Sequence, residues 1–378
     1  MEIKKEYNYT FGVLTALAIV FVVAGHLNLD ILTINGMYPY YSFHMALFMF
    51  ISGYFYRSAH TGSFRKFLIK KIKRLIFPYF IWNFFYGIVV AILHKYGFAI
   101  GGRINIYTLV VQPFIDGHQF YFNLASWFLI ALFFVEIAYL LTRRAIGRLI
   151  LKKKTQFLIL AIFFSVLGSA SIRLSLQGYN RDYWLILIRT LFFMPFYYMG
   201  DLYNEILEKH DNLNDYLYFL IIVGMQMTII MHYGWIPTFS AVFGQFFYNP
   251  YVQYLVAVLG ILFWLRIAKL ITPIVKKDGY IIYIGKNSFS IMMHHIGILY
   301  LLMLFLALIN KVTGLFNDIN VDVIMTSAGI WYCPKGNNAF LLFYLVLAIV
   351  LLVMLCKIKD KIILYIHQRF GKDDRDER

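Results

Sequence analysis

Residues 11–29 read FGVLTALAIVFVVAGHLNL, nineteen residues in which His26 is the only ionisable side chain. A helix needs about 20 predominantly apolar residues to cross the hydrocarbon layer of a bilayer. Within such a helix every backbone polar group is satisfied by the segment itself, which lipid requires. The stretch therefore predicts a membrane-spanning helix. Because no small-residue cleavage site follows it, we interpret it as a retained span rather than a signal peptide.

Nine further segments of the same character follow, separated by short polar interruptions. The ten predicted spans are Phe11–Leu29, Tyr40–Tyr56, Leu75–Leu93, Asn123–Thr142, Phe157–Ile172, Tyr183–Tyr203, Tyr216–Met231, Tyr251–Ile271, Tyr280–Ile309 and Phe340–Cys356. Of the 378 residues, 61% are hydrophobic and only 14% are charged, too apolar for a soluble core to bury. We therefore predict an all-α polytopic bundle of about ten transmembrane helices, with a membrane domain over residues 1–356 and a cytoplasmic tail over residues 357–378.

The positions of the basic residues predict how this bundle is oriented, because Lys and Arg concentrate in cytoplasmic loops. The loops after the second and fourth spans are dense in them: Arg57, Arg65, Lys66, Lys70, Lys71, Lys73 and Arg74, then Arg143, Arg144, Arg148, Lys152, Lys153 and Lys154. The loops after odd-numbered spans carry few. An even number of spans with this asymmetry places both termini in the cytoplasm, and a bacterial cytoplasmic membrane is the expected location.

The net charge of +16 could suggest nucleic-acid binding, but the basic residues sit in short clusters between apolar runs. Lipid headgroups and topology explain that pattern, so we predict membrane lipids as partners and no nucleic acid. The tail after Cys356 alternates isoleucines with lysines, a pattern typical of a helix lying on the inner membrane surface. The two cysteines, Cys333 and Cys356, are not expected to pair.

Ionisable side chains inside a span are costly and mark functional sites or pairs between helices. On the predicted topology His26, His44 and Arg189 share a depth in the outer half of three different spans. A neutral imidazole can act as a general base toward a hydroxyl, and a guanidinium can stabilise a developing oxyanion. Taken singly, each histidine is also consistent with a helix-packing role.

Two other positions are interpreted more conservatively. His294 and His295 are adjacent, and neighbouring residues on a helix point about 100° apart, so at most one faces a shared cavity. Glu136 is expected to pair with a basic residue of another helix. The histidines lack a carboxylate at metal-ligand spacing, and the sequence has no HExxH, GxSxG or GxxxxGK[ST] motif, which disfavours metalloprotease, hydrolase and ATPase functions and predicts no metal.

At this point five ordered segments resemble one family, the acyltransferase-3 membrane proteins. Residues 14–26 resemble its first helix, which ends in Gly-His, and residues 43–54, FHMALFMFISGY, are similar to its FHMPLFFFISGY segment. Residues 71–74, KIKR, followed by Pro78 and Tyr79, look like its basic pair before PY. Residues 127–133 resemble WFLPALF, residues 189–196 resemble its R-x-x-x-FFPFF span, and residues 285–295 resemble GKNSLxIYLLH.

The resemblance implies transfer of an acyl group, expected to be acetyl, from acyl-CoA to a hydroxyl of a sugar or glycan. His26 occupies the family's catalytic histidine position, with His44 and Arg189 expected beside it. Lys71 and Arg74 are expected to hold the phosphates of acetyl-CoA. The family arginine eleven residues before the catalytic histidine is Thr15 here, which we include on the donor side. The resembling segments also contribute the residues expected to line the substrate cavity: Ser52, Trp127, Ser288 and His295.

Two other functions remain open from the residues alone. The same polar cavity would serve an exporter of a polysaccharide or lipid-linked intermediate that performs no acyl chemistry, and Thr15 slightly favours that alternative. An inactive structural or sensory relative would show neither activity. Dependence on labelled acetyl-CoA distinguishes the enzyme from both.

Overall fold

The computed structural model describes residues 7–30, 32–56, 63–149, 151–315, 319–327, 329 and 338–370. Arg57, Cys333 and residues 371–378 of the tail lie outside this set. The described chain folds into thirteen α-helices: α1 Tyr9–His26, α2 His44–Tyr54, α3 Phe64–Lys71, α4 Phe77–Lys95, α5 Trp127–Gly147, α6 Lys153–Leu176, α7 Asp182–Leu202, α8 Asp215–Tyr233, α9 Pro250–Ile271, α10 Tyr280–Lys286, α11 Ser288–Thr313, α12 Val321–Thr326 and α13 Asn338–Phe370. A small antiparallel hairpin, β1 Phe239–Ser240 and β2 Gln245–Phe246, lies between α8 and α9.

Nine helical segments in the described part of the chain are long and apolar enough to cross a membrane. They are Tyr9–His26, Phe64–Lys95, Tyr121–Gly147, Lys153–Leu176, Asp182–His210, Asp215–Tyr233, Pro250–Ile274, Ser288–Thr313 and Phe340–Ile366. These helices confirm the predicted all-α polytopic bundle and make the chain a multi-pass membrane protein. The predicted tenth span corresponds to α2, which is shorter than the others.

The predicted helix Tyr40–Tyr56 was wrong in its N-terminal part. Only the 11 residues of α2 are α-helical, about 16 Å of rise against a hydrocarbon layer of about 30 Å. Pro39, which cannot donate a backbone hydrogen bond, precedes the 3₁₀ turn Tyr40–Ser42. Irregular backbone needs protein partners if it lies at membrane depth. The Gln226 side chain of α8 supplies one by donating to the Met37 carbonyl at 2.5 Å.

Close helix packing is built on glycines. A Cβ added to Gly53 of α2 would overlap the backbone carbonyl of Tyr197 on α7, and one added to Gly200 of α7 would overlap the carbonyl of Phe50. Gly285 of α10 meets the Gly12 carbonyl of α1 in the same way. Small residues let helix backbones approach closely in membranes, where no hydrophobic force acts between helices. These contacts pack α2 against α7 and α10 against α1.

The loop predicted between the second and third spans is largely helical. After residues 57–62, α3 carries the basic cluster and runs through a π-helical turn, Ile72–Ile76, into α4. The last helix likewise continues past Cys356, so that the first part of the predicted tail extends the span. Lys359 on this extension donates to the Asn287 side chain at 3.2 Å, which connects α13 to the turn between α10 and α11.

Candidate active site

Two histidines from different helices meet inside the bundle. His26 is the last residue of α1, and its ring centroid lies 5.0 Å from that of His295 on α11. His295 is fully buried, and His26 is partly buried. The sequence grouped His26 with residues of matching depth, and the helix packing adds His295 as its ring neighbour.

The backbone of α11 determines the tautomer of His295. Its Nδ1 atom lies 2.8 Å from the Met292 carbonyl oxygen and 3.2 Å from that of Ile291. A carbonyl only accepts, so Nδ1 carries the hydrogen and Nε2 of the neutral ring carries a lone pair. This Nε2 is buried without a hydrogen-bond partner in the described structure. His295 therefore presents a basic nitrogen to the protein interior.

His44 is held in the same tautomer at the start of α2. Its Nδ1 atom lies 2.5 Å from the Tyr40 carbonyl oxygen, which leaves the lone pair on Nε2. The ring packs edge-on against Tyr41 at 5.3 Å, and the Tyr41 hydroxyl donates to the Gly25 carbonyl at 3.0 Å. The start of α2 is thereby held against the last turn of α1, which ends at His26.

The adjacent histidine, His294, points elsewhere. Its Nδ1 atom is 2.8 Å from the Tyr86 hydroxyl, and its ring packs edge-on against Trp82, both on α4. The two neighbours thus face different helices, as expected from the geometry of an α-helix. Only His295 of the two makes ring contact with His26.

Arg189, in the N-terminal half of α7, belongs to a different cluster. Its guanidinium donates to the carbonyls of Asp116 at 3.0 Å, Ala241 at 3.4 Å and Val242, and it lies 4.7 Å from the Trp127 ring centroid. Only 3% of Arg189 is exposed. Since these donors are occupied by loop carbonyls, the arrangement holds together the loop before α5 and the loop between α8 and α9. The hydrogen bonds described for Arg189 include none to His26 or His44.

The same cluster contains His118, which the sequence analysis did not identify. Arg189 can only donate, so the 3.2 Å contact makes His118 Nε2 an acceptor and the ring neutral. Burial, followed by the nearby Arg189 charge, lowers the pKa of His118 to about 4. A loop histidine between two predicted spans carried no signal that it would meet an intramembrane arginine.

The residues expected to bind the donor differ in their surroundings. Lys71 forms a buried ion pair with Glu136 of α5, the kind of partner expected for that carboxylate. Arg74 instead lines an open surface depression of about 480 Å³ together with Lys66, Ile69, Lys70 and Lys73. The Thr15 hydroxyl donates to the Phe11 carbonyl of its own helix at 2.6 Å. The Lys71 ammonium is thus paired with a carboxylate, and the Thr15 hydroxyl donates within its own helix. Arg74 instead faces an open basic surface.

The three remaining residues expected to line the cavity lie on three different helices, α2, α5 and α11. Trp127 packs on Arg189, and Ser52 is half-buried on α2. Ser288 begins α11, seven residues and about 10 Å of helix before His295. In the described part of the chain no group of three His, Cys, Asp or Glu side chains could hold a metal ion.

Comparison with known proteins adds one finding. A family model described as an acyltransferase domain, of the acyltransferase-3 type, matches residues 8–358, nearly the whole chain. No curated protein and no solved structure matches the chain. The matched range contains both histidines of the ring pair, His26 and His295. It runs from the residue before α1 to a point within α13.

Proposed function

Because this chain belongs to the acyltransferase-3 family of membrane acyltransferases, we propose that it transfers an acetyl group from acetyl-CoA to a hydroxyl of a sugar or cell-surface glycan. The observation that carries the proposal is the buried ring contact between His26 and His295. Hydroxyl acylation needs a base that accepts the hydroxyl proton, and imidazole is the side chain best suited to it near neutral pH.

In the proposed reaction His26 accepts the proton of the acceptor hydroxyl while its oxygen bonds to the acyl carbon. Acetyl-CoA supplies that carbon as a thioester, and the bond between carbon and sulfur breaks. His26 then returns the proton to the departing sulfur, so that the histidine ends the cycle neutral. The His295 ring lies beside His26 and carries its lone pair on Nε2, and an acceptor there would stabilise a protonated His26, which supports the base assignment.

The tautomers also revise the roles expected of the neighbours. With hydrogen on Nδ1, His44 offers an acceptor at Nε2, and a neutral acceptor cannot stabilise an oxyanion. Arg189 is occupied by loop carbonyls. We therefore assign His44 to positioning the hydroxyl proton and Arg189 to holding these loops together.

We further propose that the phosphates of acetyl-CoA bind the basic surface that contains Arg74, Lys66, Lys70 and Lys73. Its positive charge is suited to anionic phosphates, and Lys71 is excluded from this role by its pairing with Glu136. The proposed location is a bacterial cytoplasmic membrane, with both termini in the cytoplasm.

The test uses the purified full chain in lipid nanodiscs, labelled acetyl-CoA, and de-O-acetylated surface glycan from cells that lack the protein. His26→Ala is expected to lower transfer at least about a hundredfold, the usual contribution of a general base. His294→Ala is the matched control, because it removes the imidazole that precedes His295 in the chain and faces α4. Near-normal transfer by His26→Ala, with an unchanged thermal midpoint, would overturn the assignment. An exporter would show no dependence on acetyl-CoA in the same assay.

A further inference from the structure

A second polar cluster, free of charged side chains, lies between α4 and the segment before α5. Its members are buried: Tyr79, Asn83, Gln119, Asn123 and Ser126. Gln119 Nε2 donates to the Tyr79 hydroxyl at 2.9 Å and to Asn83 Oδ1 at 2.5 Å. The Ser126 hydroxyl donates to the backbone carbonyl of Asn123 at 2.6 Å. We refer to these five residues as the amide cluster.

The orientation of the Gln119 amide follows from its neighbours. Asn83 Nδ2 donates to the Leu109 carbonyl at 3.0 Å, and only the NH₂ end of the Asn83 amide can donate to a carbonyl. Asn83 Oδ1 must then face Gln119 as an acceptor, so the Gln119 NH₂ group is the one that meets it. Gln119 Oε1 is therefore directed away from the Asn83 and Tyr79 contacts.

Three polar atoms of the amide cluster remain unpaired in the described structure: Gln119 Oε1, Asn123 Oδ1 and Asn123 Nδ2. A buried polar group without a partner costs about 1–3 kcal/mol. Amide groups offer both acceptors and a donor, a combination that suits hydroxyl groups, which both donate and accept. The cluster itself carries no charge that would attract a phosphate or carboxylate.

One side of the amide cluster borders α11, the helix that carries His295. The segment Tyr121–Ser126 packs on α11, and the ring of Phe122, next to Asn123, lies 5.1 Å from that of Tyr300. Tyr300 is five residues beyond His295 on the same helix. Phe122 also contacts the Tyr86 ring, whose hydroxyl binds His294. A ligand held by Asn123 would thus be bound close to the helix that carries His295.

We infer that Gln119 and Asn123 bind hydroxyl groups of the acceptor, a neutral polyhydroxylated ligand such as a sugar residue. The inference rests on the proposed acyl transfer and adds a subsite to it. Asn123 would donate to one ligand oxygen and accept from another hydroxyl, while Gln119 Oε1 accepts from a third. These bonds would position the acceptor without taking part in proton transfer.

The experiment compares Asn123→Leu with the unmodified chain in the same nanodisc assay, using de-O-acetylated glycan as the titrated acceptor. Leucine has nearly the shape of asparagine, so replacing an unpaired amide should leave the thermal midpoint at or above that of the unmodified chain. The KM for glycan should rise about tenfold or more, and the KM for acetyl-CoA should stay the same. Asn123→Ala repeats the test without a bulky side chain.

Gln253→Met is the matched control, because both polar atoms of that buried α9 amide also lack partners in the described structure. It should leave both KM values unchanged. An unchanged KM for glycan in the Asn123 variants, or an equal rise for glycan and acetyl-CoA, would overturn the inference. Glycan should also raise the thermal midpoint of the unmodified chain and not that of Asn123→Leu. Absence of any acetyl transfer by the unmodified chain would instead refute the proposed function, on which the inference depends.

Discussion

Removing one partner of the Lys71–Glu136 pair should destabilise the protein far more than removing both. The side chains of Lys71 and Glu136 are only 14% and 6% exposed, and Glu136 Oε2 has no hydrogen-bond partner among the described residues. A buried charge that loses its partner costs about 3–5 kcal/mol, whereas an apolar replacement of the whole pair is often neutral. We expect Lys71→Met and Glu136→Leu each to lower the free energy of unfolding by about 3–5 kcal/mol. The free energy of unfolding of the double variant should lie within about 1 kcal/mol of that of the unmodified chain.

The assay is reversible denaturation of the three variants in mixed micelles, which yields the coupling energy between the two positions. The KM of the double variant for acetyl-CoA distinguishes a structural role of Lys71 from a role in donor binding. We expect this KM to be unchanged, because Arg74 and its neighbours form the open basic surface. Strictly additive single losses would refute the buried pair. A large rise of this KM with normal stability would return Lys71 to the donor site.

Two further predictions concern packing and pH. Gly53→Ala should separate α2 from α7 and lower the free energy of unfolding by more than about 2 kcal/mol, measured by thermal denaturation. Gly224→Ala on α8, where a Cβ meets no atom within 4 Å, should be neutral or slightly stabilising, and equal effects of the two substitutions would contradict the close contact. His118 has its pKa lowered from 6.5 to about 4 in the folded protein, so its contribution to stability is present above pH 6.5 and is lost as the pH falls toward 4. His118→Gln should flatten that part of the profile of thermal midpoint against pH, and an unchanged profile would count against the neutral ring.

The fold was largely predictable because a membrane imposes a length and a composition on each segment that crosses it. The run that contains Leu14 and His26 is recognisable without reference to any other part of the chain. The exceptions are instructive. The start of α2 was misplaced because an apolar sequence such as YYSF before His44 satisfies hydropathy whether or not its backbone is helical. The split between α10 and α11 at Asn287 was equally invisible to an apolar count.

The candidate site was predictable in its residue types and less so in its grouping. Depth along a helix can be counted from the sequence, and it identified His26, His44 and Arg189. Depth carries no information on which helices are neighbours or which way a side chain turns. The contacts joined Arg189 to His118 and brought His295 to His26.

The sequence by itself determined that the chain crosses a membrane many times, because a soluble fold could not hide this much apolar surface from water. Its ordered motifs indicated the acyltransferase-3 family. Only the tertiary structure decided which polar side chains meet, which hydrogen each buried imidazole carries and which amides remain unpaired. Those properties depend on contacts between helices distant in the chain, and a linear pattern specifies no such contact.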